Sequence, residues 1–124
     1  MNTTFKAVNM ELTEAIKDYA LKRVEPLEKF VGSEHAMLVI EVMQTTKHHK
    51  QGEIFRTEMN LSGGKMNVRA VSQKEDLYAS IDDAKEELMR VLISRKEKSN
   101  TLFRRGASKF KSMVKGFSWR GKSN

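Results

Sequence analysis

The stretch that decides the fold runs from Ser72 to Lys98 and reads SQKEDLYASIDDAKEELMRVLISRKEK. Ser72 followed three residues later by Glu75 fits a capping box, in which both side chains accept N–H groups at the start of a helix. Apolar residues then recur along one helical face from Leu77 to Leu92. The pattern predicts a long amphipathic helix, ending near Lys98, that needs a sheet to bury its stripe.

The segments before this helix can supply the sheet. Residues 36–45, 54–61 and 66–70 alternate apolar and polar side chains as strands do, and residues 3–9 form a shorter extended candidate. The pair Gly63-Gly64 is typical of a hairpin turn. Thr13 is a good N-cap for an earlier helix, which Pro26 is expected to kink or interrupt.

The element order predicts an α+β two-layer sandwich. The order is β-α-β-β-β-α, and we expect a four-stranded antiparallel sheet that two helices cover on one face. The length of 124 residues with 39% hydrophobic residues suits one small domain. The sequence has no cysteine, no apolar run of about 20 residues and no signal-peptide pattern. These features predict a soluble cytoplasmic protein.

The positive charge is concentrated at one end of the chain. Residues 1–100 contain 16 Lys and Arg against 16 Asp and Glu, whereas residues 101–124 contain seven cations and no acid. We therefore predict a domain over residues 1–100 and a flexible basic tail over 101–124, disordered when free. Aromatic residues interleaved with cations can combine phosphate contacts with base stacking, so the tail favours a nucleic-acid partner. The tail cations are Arg104, Arg105, Lys109, Lys111, Lys115, Arg120 and Lys122.

No pattern of catalytic or metal-ligating residues is found. His48-His49 lacks a nearby cluster of carboxylates or thiols with ligand spacing, and favours a solvated loop. The acidic run at Asp82, Asp83, Glu86 and Glu87 favours an exposed helix face, paired with cations such as Lys85 and Arg90. Gly63-Gly64 is not followed by the Gly-Lys-Ser/Thr of a phosphate-binding loop. We expect no catalysis, metal, cofactor or small-molecule substrate.

Three segments together resemble a known family. Residues 8–16 (VNMELTEAI), 24–30 (VEPLEKF) and 75–82 (EDLYASID) resemble the ribosome hibernation-promoting factors, also called ribosome-associated inhibitors. The Tyr-Ala-x-Ile-Asp signature in this element order is the most specific part, and the resemblance covers residues 3 to about 100. Pro26 departs from the usual pattern.

The resemblance implies a plug that does no chemistry. Such proteins lodge between the head and body of the small ribosomal subunit, where messenger and transfer RNA would bind, and they inhibit translation reversibly. Phosphate contacts suit this role because they position a protein without reading sequence. The implied RNA contacts on the helices are Lys22, Arg23, Lys29, Lys85, Arg90, Arg95, Lys96 and Lys98, to which we add the tail cations Arg104, Arg105, Lys109, Lys111, Lys115 and Arg120.

The sequence also leaves other interpretations of the function open. Long members of the family carry a further domain that dimerises ribosomes, which the tail cannot replace, so we expect a monomer that does not dimerise ribosomes alone. A double-stranded-RNA-binding domain has a related α-β-β-β-α order, but the last helix here starts with acids rather than lysines. The chain could instead be a general RNA-binding protein, or an interaction module for a transcription or other regulatory factor. We expect no membrane partner.

Overall fold

The computed structural model describes residues 1–31, 35–46, 52–64 and 66–113, without the side chains of Thr46 and residues 99–113. The predicted loop with His48 and His49, Lys65 of the predicted turn, and the predicted tail beyond Met113 lie outside the described residues. The elements are β1 (Asn2–Val8), α1 (Glu14–Val24), a 3-10 turn (Glu25–Leu27), α2 (Glu28–Val31), β2 (Met37–Thr46), β3 (Glu53–Gly63), β4 (Met66–Lys74) and α3 (Leu77–Met113).

The four strands form one mixed sheet in the order β1-β2-β3-β4. The pairs β2–β3 and β3–β4 are antiparallel, but β1 runs parallel to β2, with Asn2 beside Met37 and Val8 beside Met43. The prediction of a fully antiparallel sheet is therefore wrong. The physical reason is the helical connection between β1 and β2, which returns the chain to the end where β1 began.

One face of the sheet is buried beneath the helices. Alternate residues of the central strands are fully buried, among them Leu38, Ile40, Met59 and Leu61. The helices contribute the matching apolar stripes, so the predicted α+β two-layer fold is confirmed. The buried helix residues of this layer are Ile16, Ala20 and Val24 on α1 with Leu77, Ile81, Ala84 and Leu88 on α3.

A buried hydroxyl pair fixes α3 on the sheet. The Thr57 Oγ1 and Ser80 Oγ atoms lie 2.7 Å apart, and both residues are fully buried. Because the Ser80 hydroxyl donates its one proton to the Leu77 carbonyl at 2.7 Å, Thr57 must be the donor to Ser80. All hydroxyl protons are thus used, and β3 is tied to the first turn of α3.

The helix boundaries differ from the predictions at α3 and agree at α1. Thr13 caps α1 by accepting from the Ile16 N–H at 3.2 Å, and the 3-10 turn containing Pro26 interrupts the first helical segment as predicted. The predicted capping box at Ser72 is wrong. Ser72 belongs to β4, where it pairs with Thr57, while Asp76 caps α3 by accepting from the Ala79 N–H at 2.9 Å.

The third helix continues to Met113 rather than ending near Lys98. The chain divides into two compact units, Met1–Val91 and Leu92–Asn124, and α3 contributes to both. The first unit contains the sheet and the helical layer described above. The second contains the later turns of α3. The disorder of residues 101–124 in the free protein stays a prediction.

The hairpin between β3 and β4 uses its two glycines differently. Gly64 has a φ of +58°, which glycine adopts without strain. Gly63 is the last residue of β3, and a Cβ added there would lie only 2.9 Å from the Ala36 Cα. Gly63 is therefore required for close packing against the start of β2, and only Gly64 is needed for the turn.

Candidate nucleic-acid interface

The contact between α1 and α3 is made by a polar and aromatic cluster, which we call the α1–α3 seam: Tyr19, Arg23, Tyr78 and Asp82. The Tyr19 hydroxyl donates to Asp82, at 2.7 Å from Oδ1 and 2.9 Å from Oδ2. Arg23 Nε donates to the same Oδ1 at 2.8 Å. The Tyr19 and Tyr78 rings meet edge to face, with centroids 4.8 Å apart.

The carboxylate of Asp82 organises this seam electrostatically. Its hydrogen bond with Tyr19, with burial adding to it, raises the pKa of the Tyr19 hydroxyl. Arg23 uses only Nε on Asp82, and its terminal amino groups have no partner within the described part of the chain. Because the Arg23 side chain is 40% exposed, the remaining N–H groups can meet a phosphate without breaking the ion pair.

The other acids of the run from Asp82 to Glu87 also have partners. Asp83 accepts from the Ser72 hydroxyl at 2.7 Å. Glu86 contacts Lys85 and Glu87 contacts Arg90, which confirms the predicted pairing with these two cations.

In the described ranges, no three His, Cys, Asp or Glu side chains are grouped so as to hold a metal ion. No helix in those ranges is long and apolar enough to cross a membrane.

The predicted RNA contacts of the first unit differ in accessibility. Lys22 and Lys29 are exposed, and the Lys29 ammonium lies 5.9 Å from the centroid of the Phe30 ring. The Arg90 side chain is 66% exposed, and its hydrogen bond to Glu87 raises its pKa. Lys85 is buried and its Nζ lies 3.3 Å from Glu86, so it presents little of its charge to a partner.

The remaining predicted contacts belong to the second unit. Arg95, Lys96 and Lys98 are exposed on α3. Arg104, Arg105, Lys109 and Lys111 belong to the later turns, where the backbone is helical and the side chains lie outside the described part. Lys115 and Arg120 lie outside the described residues altogether.

The two units carry opposite net charges. Residues 1–91 contain 13 Lys and Arg against 15 Asp and Glu, a net charge of −2. Residues 92–124 contain 10 cations against one acid, Glu97, a net charge of +9. The two parts of the chain therefore differ more in net charge when the chain is divided after Val91 (−2 and +9) than when it is divided after Asn100 (0 and +7). The attraction for a polyanion is concentrated in the second unit.

The open face of the sheet carries an ion cluster of one carboxylate and two arginines. Glu58 accepts from Arg56 Nε at 3.1 Å and Nη2 at 2.8 Å, and its other oxygen lies 3.1 Å from Arg69 Nη2. The hydrogen bonds from Arg56, followed by the contribution of Arg69, hold the pKa of Glu58 below its ordinary value, against the opposing effect of burial. Both described aromatics of the strands, Phe5 and Phe55, share the inward register of Ile40 and Thr57. The described strand residues therefore place no aromatic side chain on the open face, where a base could stack on a ring.

Sequence reasoning missed the seam as a unit. It placed Arg23 among the RNA contacts and Asp82 among solvated acids, but it assigned no role to Tyr19 or Tyr78 beyond the helix patterns. The available signal was the Tyr-Ala-x-Ile-Asp signature, in which Tyr78 and Asp82 are four residues apart and therefore share a helical face.

The strongly basic second unit favours a polyanionic partner for this α+β protein. Residues 3–100 match the family described as Sigma 54 modulation protein / S30EA ribosomal protein, and the chain belongs to this family. Membership supports a ribosome-associated role, and the predicted family resemblance is confirmed.

Curated relatives carry the name ribosome hibernation promoting factor. The protein of Pseudomonas putida is 27% identical over 109 residues, covering 88% of this chain and all of that protein. The protein of Azotobacter vinelandii is 29% identical over 98 residues, covering 79% of this chain and 85% of that protein.

Solved structures of similar fold are also known. The N-terminal domain of Thermus thermophilus Protein Y has a TM-score of 0.59 at 28% identity, covering 74% of this chain and 96% of that one. A ribosomal subunit interface protein from Coxiella burnetii has a TM-score of 0.60 at 13% identity, covering 78% of this chain and 99% of that one. At that identity the Coxiella structure supports the fold alone.

Proposed function

We propose that this protein is a ribosome hibernation factor. It binds the small ribosomal subunit at the messenger and transfer RNA sites in the cytoplasm and reversibly inhibits translation. Support comes from the family, from relatives named ribosome hibernation promoting factor, and from a helical layer that presents cations beside an aromatic seam.

The observation that carries the proposal is the division of charge. A first unit of net charge −2 would be repelled weakly by RNA, whereas a second unit of net charge +9 would be attracted strongly. The second unit therefore supplies most of the attraction and the first unit supplies the shaped body that fills the site. Phosphate contacts of this kind fix position without reading sequence, as a constant ribosomal RNA surface requires.

The proposed RNA contacts follow from accessibility. On the first unit they are Lys22, Arg23, Lys29 and Arg90. Lys85 is not among the proposed contacts, because its side chain is buried. On the second unit they are Arg95, Lys96, Lys98, Arg104, Arg105, Lys109 and Lys111, with Lys115 and Arg120 beyond α3. No bond is made or broken in this mechanism. Inhibition comes from occupying space, and it is reversible because ionic contacts are weakened by salt and competing RNA.

The test is sedimentation of the full chain with purified small subunits at low and moderate salt, together with a translation assay. We expect the protein to co-sediment with the subunits, to be released as salt rises, and to lower protein synthesis until transfer RNA in excess displaces it. Failure to co-sediment at low salt would overturn the proposal. Binding without any loss of translation would overturn the location at the messenger and transfer RNA sites.

A second candidate is a protein that modulates a transcription factor. It is favoured by the family description, which includes sigma-54 modulation. The discriminating observation is a pull-down from lysate before and after ribonuclease treatment. Ribonuclease should abolish capture of ribosomal components if the first proposal is right, and a regulatory protein retained without RNA would favour the second.

A further inference from the structure

Tyr78 is an exposed aromatic that the core does not require. The exposed large apolar side chains of the described residues are Leu21, Met37, Val71, Tyr78 and Ile93, and Tyr78 is the aromatic one among them. It belongs to the first turn of α3 and is 37% exposed. Its hydroxyl has no hydrogen-bond partner within the described part of the chain. Burial of apolar area therefore explains only in part why an aromatic residue occupies position 78.

The Tyr78 ring is held in position by its neighbour. It meets the Tyr19 ring at an angle of 83° with centroids 4.8 Å apart. The Tyr19 ring is fixed in turn by the two hydrogen bonds of its hydroxyl to Asp82. In an edge-to-face pair one ring presents its rim, so Tyr19 can cover at most one face of Tyr78. The arrangement leaves a preorganised aromatic face at the end of the seam.

A cation lies on the same seam. Arg23 is held by Asp82, which is one helical turn from Tyr78 on α3, an axial offset of about 5–6 Å. An aromatic face that stacks a base, with an arginine nearby that binds a phosphate, is the combination used for single-stranded RNA. The base must be unpaired, because a base within a duplex is already covered on both faces.

We propose that the α1–α3 seam is a binding site for one unpaired nucleotide of ribosomal RNA, with the base stacked on Tyr78 and a phosphate contacted by Arg23. The site deepens the proposed function and rests on it. The proposed site also gives a reason for the presence of Tyr78 and Asp82 four residues apart at the start of α3. Tyr78 contacts the base, whereas Tyr19 and Asp82 are positioning residues.

The test compares Tyr78→Leu with Tyr78→Phe in the full chain. Leucine keeps an apolar side chain and phenylalanine keeps the ring without the hydroxyl. Affinity for purified small subunits is measured across salt concentrations, and bound subunits are probed with dimethyl sulfate. We expect Tyr78→Phe to bind as the unchanged protein does, and Tyr78→Leu to lose roughly 5- to 150-fold, the cost of one stacked base. The salt slope should stay constant in both variants because stacking releases no counterions.

The footprint separates stacking from a general loss of binding. At saturating protein, Tyr78→Leu should lose the protection of one base while the other protections persist, and Tyr78→Trp should restore it. Thermal unfolding of each variant identifies any effect on folding. If Tyr78→Leu does not fold, Tyr78→Trp and Tyr78→Phe provide the test: stacking predicts that the larger Trp ring binds small subunits at least as tightly as the Phe ring and protects the same base, and weaker binding by Tyr78→Trp would overturn the inference. Leu21→Ala, another exposed apolar position, is the control and should leave the footprint unchanged.

Three results would overturn the inference. If Tyr78→Leu binds with unchanged affinity and footprint, the proposed function stands and the stacking site falls. If Tyr78→Phe loses as much affinity as Tyr78→Leu, the effect belongs to the hydroxyl and not to the ring. If the unchanged protein does not bind small subunits, the proposed function and the nucleotide site fall together.

Discussion

The Tyr19 hydroxyl donates to the Asp82 carboxylate across 63 residues of chain, at 2.7 Å from its nearer oxygen. The contact joins α1 to α3 and also orients Arg23, which shares the same carboxylate oxygen. It gives a structural role to the aspartate of the Tyr-Ala-x-Ile-Asp signature. That residue holds the two helices of the proposed interface in one arrangement.

The variant Tyr19→Phe should lower the free energy of unfolding by about 1 kcal/mol at pH 7, because it removes a partly exposed hydrogen bond to a charged group. The folded-state pKa of Tyr19 is raised above 10.0, so this stabilisation is present below pH 10 and is lost as pH rises through the folded pKa. Urea unfolding at pH 7 and in alkaline buffer measures both effects. Tyr78→Phe is the matched control, and equal losses in the two variants would contradict the assignment.

The buried pair Thr57 and Ser80 should show strong coupling. Ser80→Ala leaves the Thr57 hydroxyl buried without an acceptor and should cost about 1–3 kcal/mol. The double variant Thr57→Val with Ser80→Ala removes both hydroxyls and should be less destabilised than the sum of the single changes. A double-mutant cycle by chemical denaturation gives the coupling. Strict additivity would show that the hydroxyls do not bond.

The Glu58 cluster should make stability depend on acid pH. Because the folded pKa of Glu58 lies below its ordinary 4.5, its stabilisation is present above that value and is lost as pH falls through the folded pKa. We expect Glu58→Gln to cost about 1–2 kcal/mol at pH 7 and progressively less below pH 4. Unfolding curves between pH 7 and 3 test this.

Glu41 provides the control for that experiment. It faces Glu58 across β2 and β3 but makes no ion pair within the described residues. Glu41→Gln should be neutral or slightly stabilising, because it removes a like charge from beside Glu58. A loss at Glu41 as large as the loss at Glu58 would contradict the role given to Arg56 and Arg69.

Neutralising two cations of the second unit should weaken the salt dependence of small-subunit binding. The double variant Arg104→Gln with Arg105→Gln should reduce the slope of log affinity against log salt by about 1.5, if both residues meet phosphates. The control changes two cations of the sheet, Lys6→Gln with Lys74→Gln, and should leave the slope unchanged. Equal reductions in the two double variants would indicate that only net charge matters.

Local pattern and composition predicted the elements and the buried face. The alternation of Leu38, Ile40 and Val42 is what a strand buried on one face requires, and these residues are fully buried. The position of the first residue of α3 was less predictable, because Ser72 and Asp76 both suit a helix start. The alternation through Val68 and Ala70 continues to Ser72, which favours a longer strand. In the structure β4 does continue to Lys74, and α3 begins after it.

Contacts between individual side chains of distant segments could not be predicted from one sequence. The parallel pairing of β1 followed from the helical connection and was within reach of topology rules. The pairing of Tyr19 with Asp82 depends on how α1 lies across α3, which no local pattern encodes. The continuation of α3 past Gly106 was not predicted, because glycine in a helix interior is less favourable than alanine by about 1 kcal/mol.

The most direct test of the central claim is cryo-electron microscopy of small ribosomal subunits saturated with the full chain. The account predicts density for the α+β domain between head and body, overlapping the paths of messenger and transfer RNA. The α1–α3 seam should face ribosomal RNA, and the open face of the sheet should be turned away from it. Density at another position on the subunit, or a domain bound through its sheet face, would contradict the account.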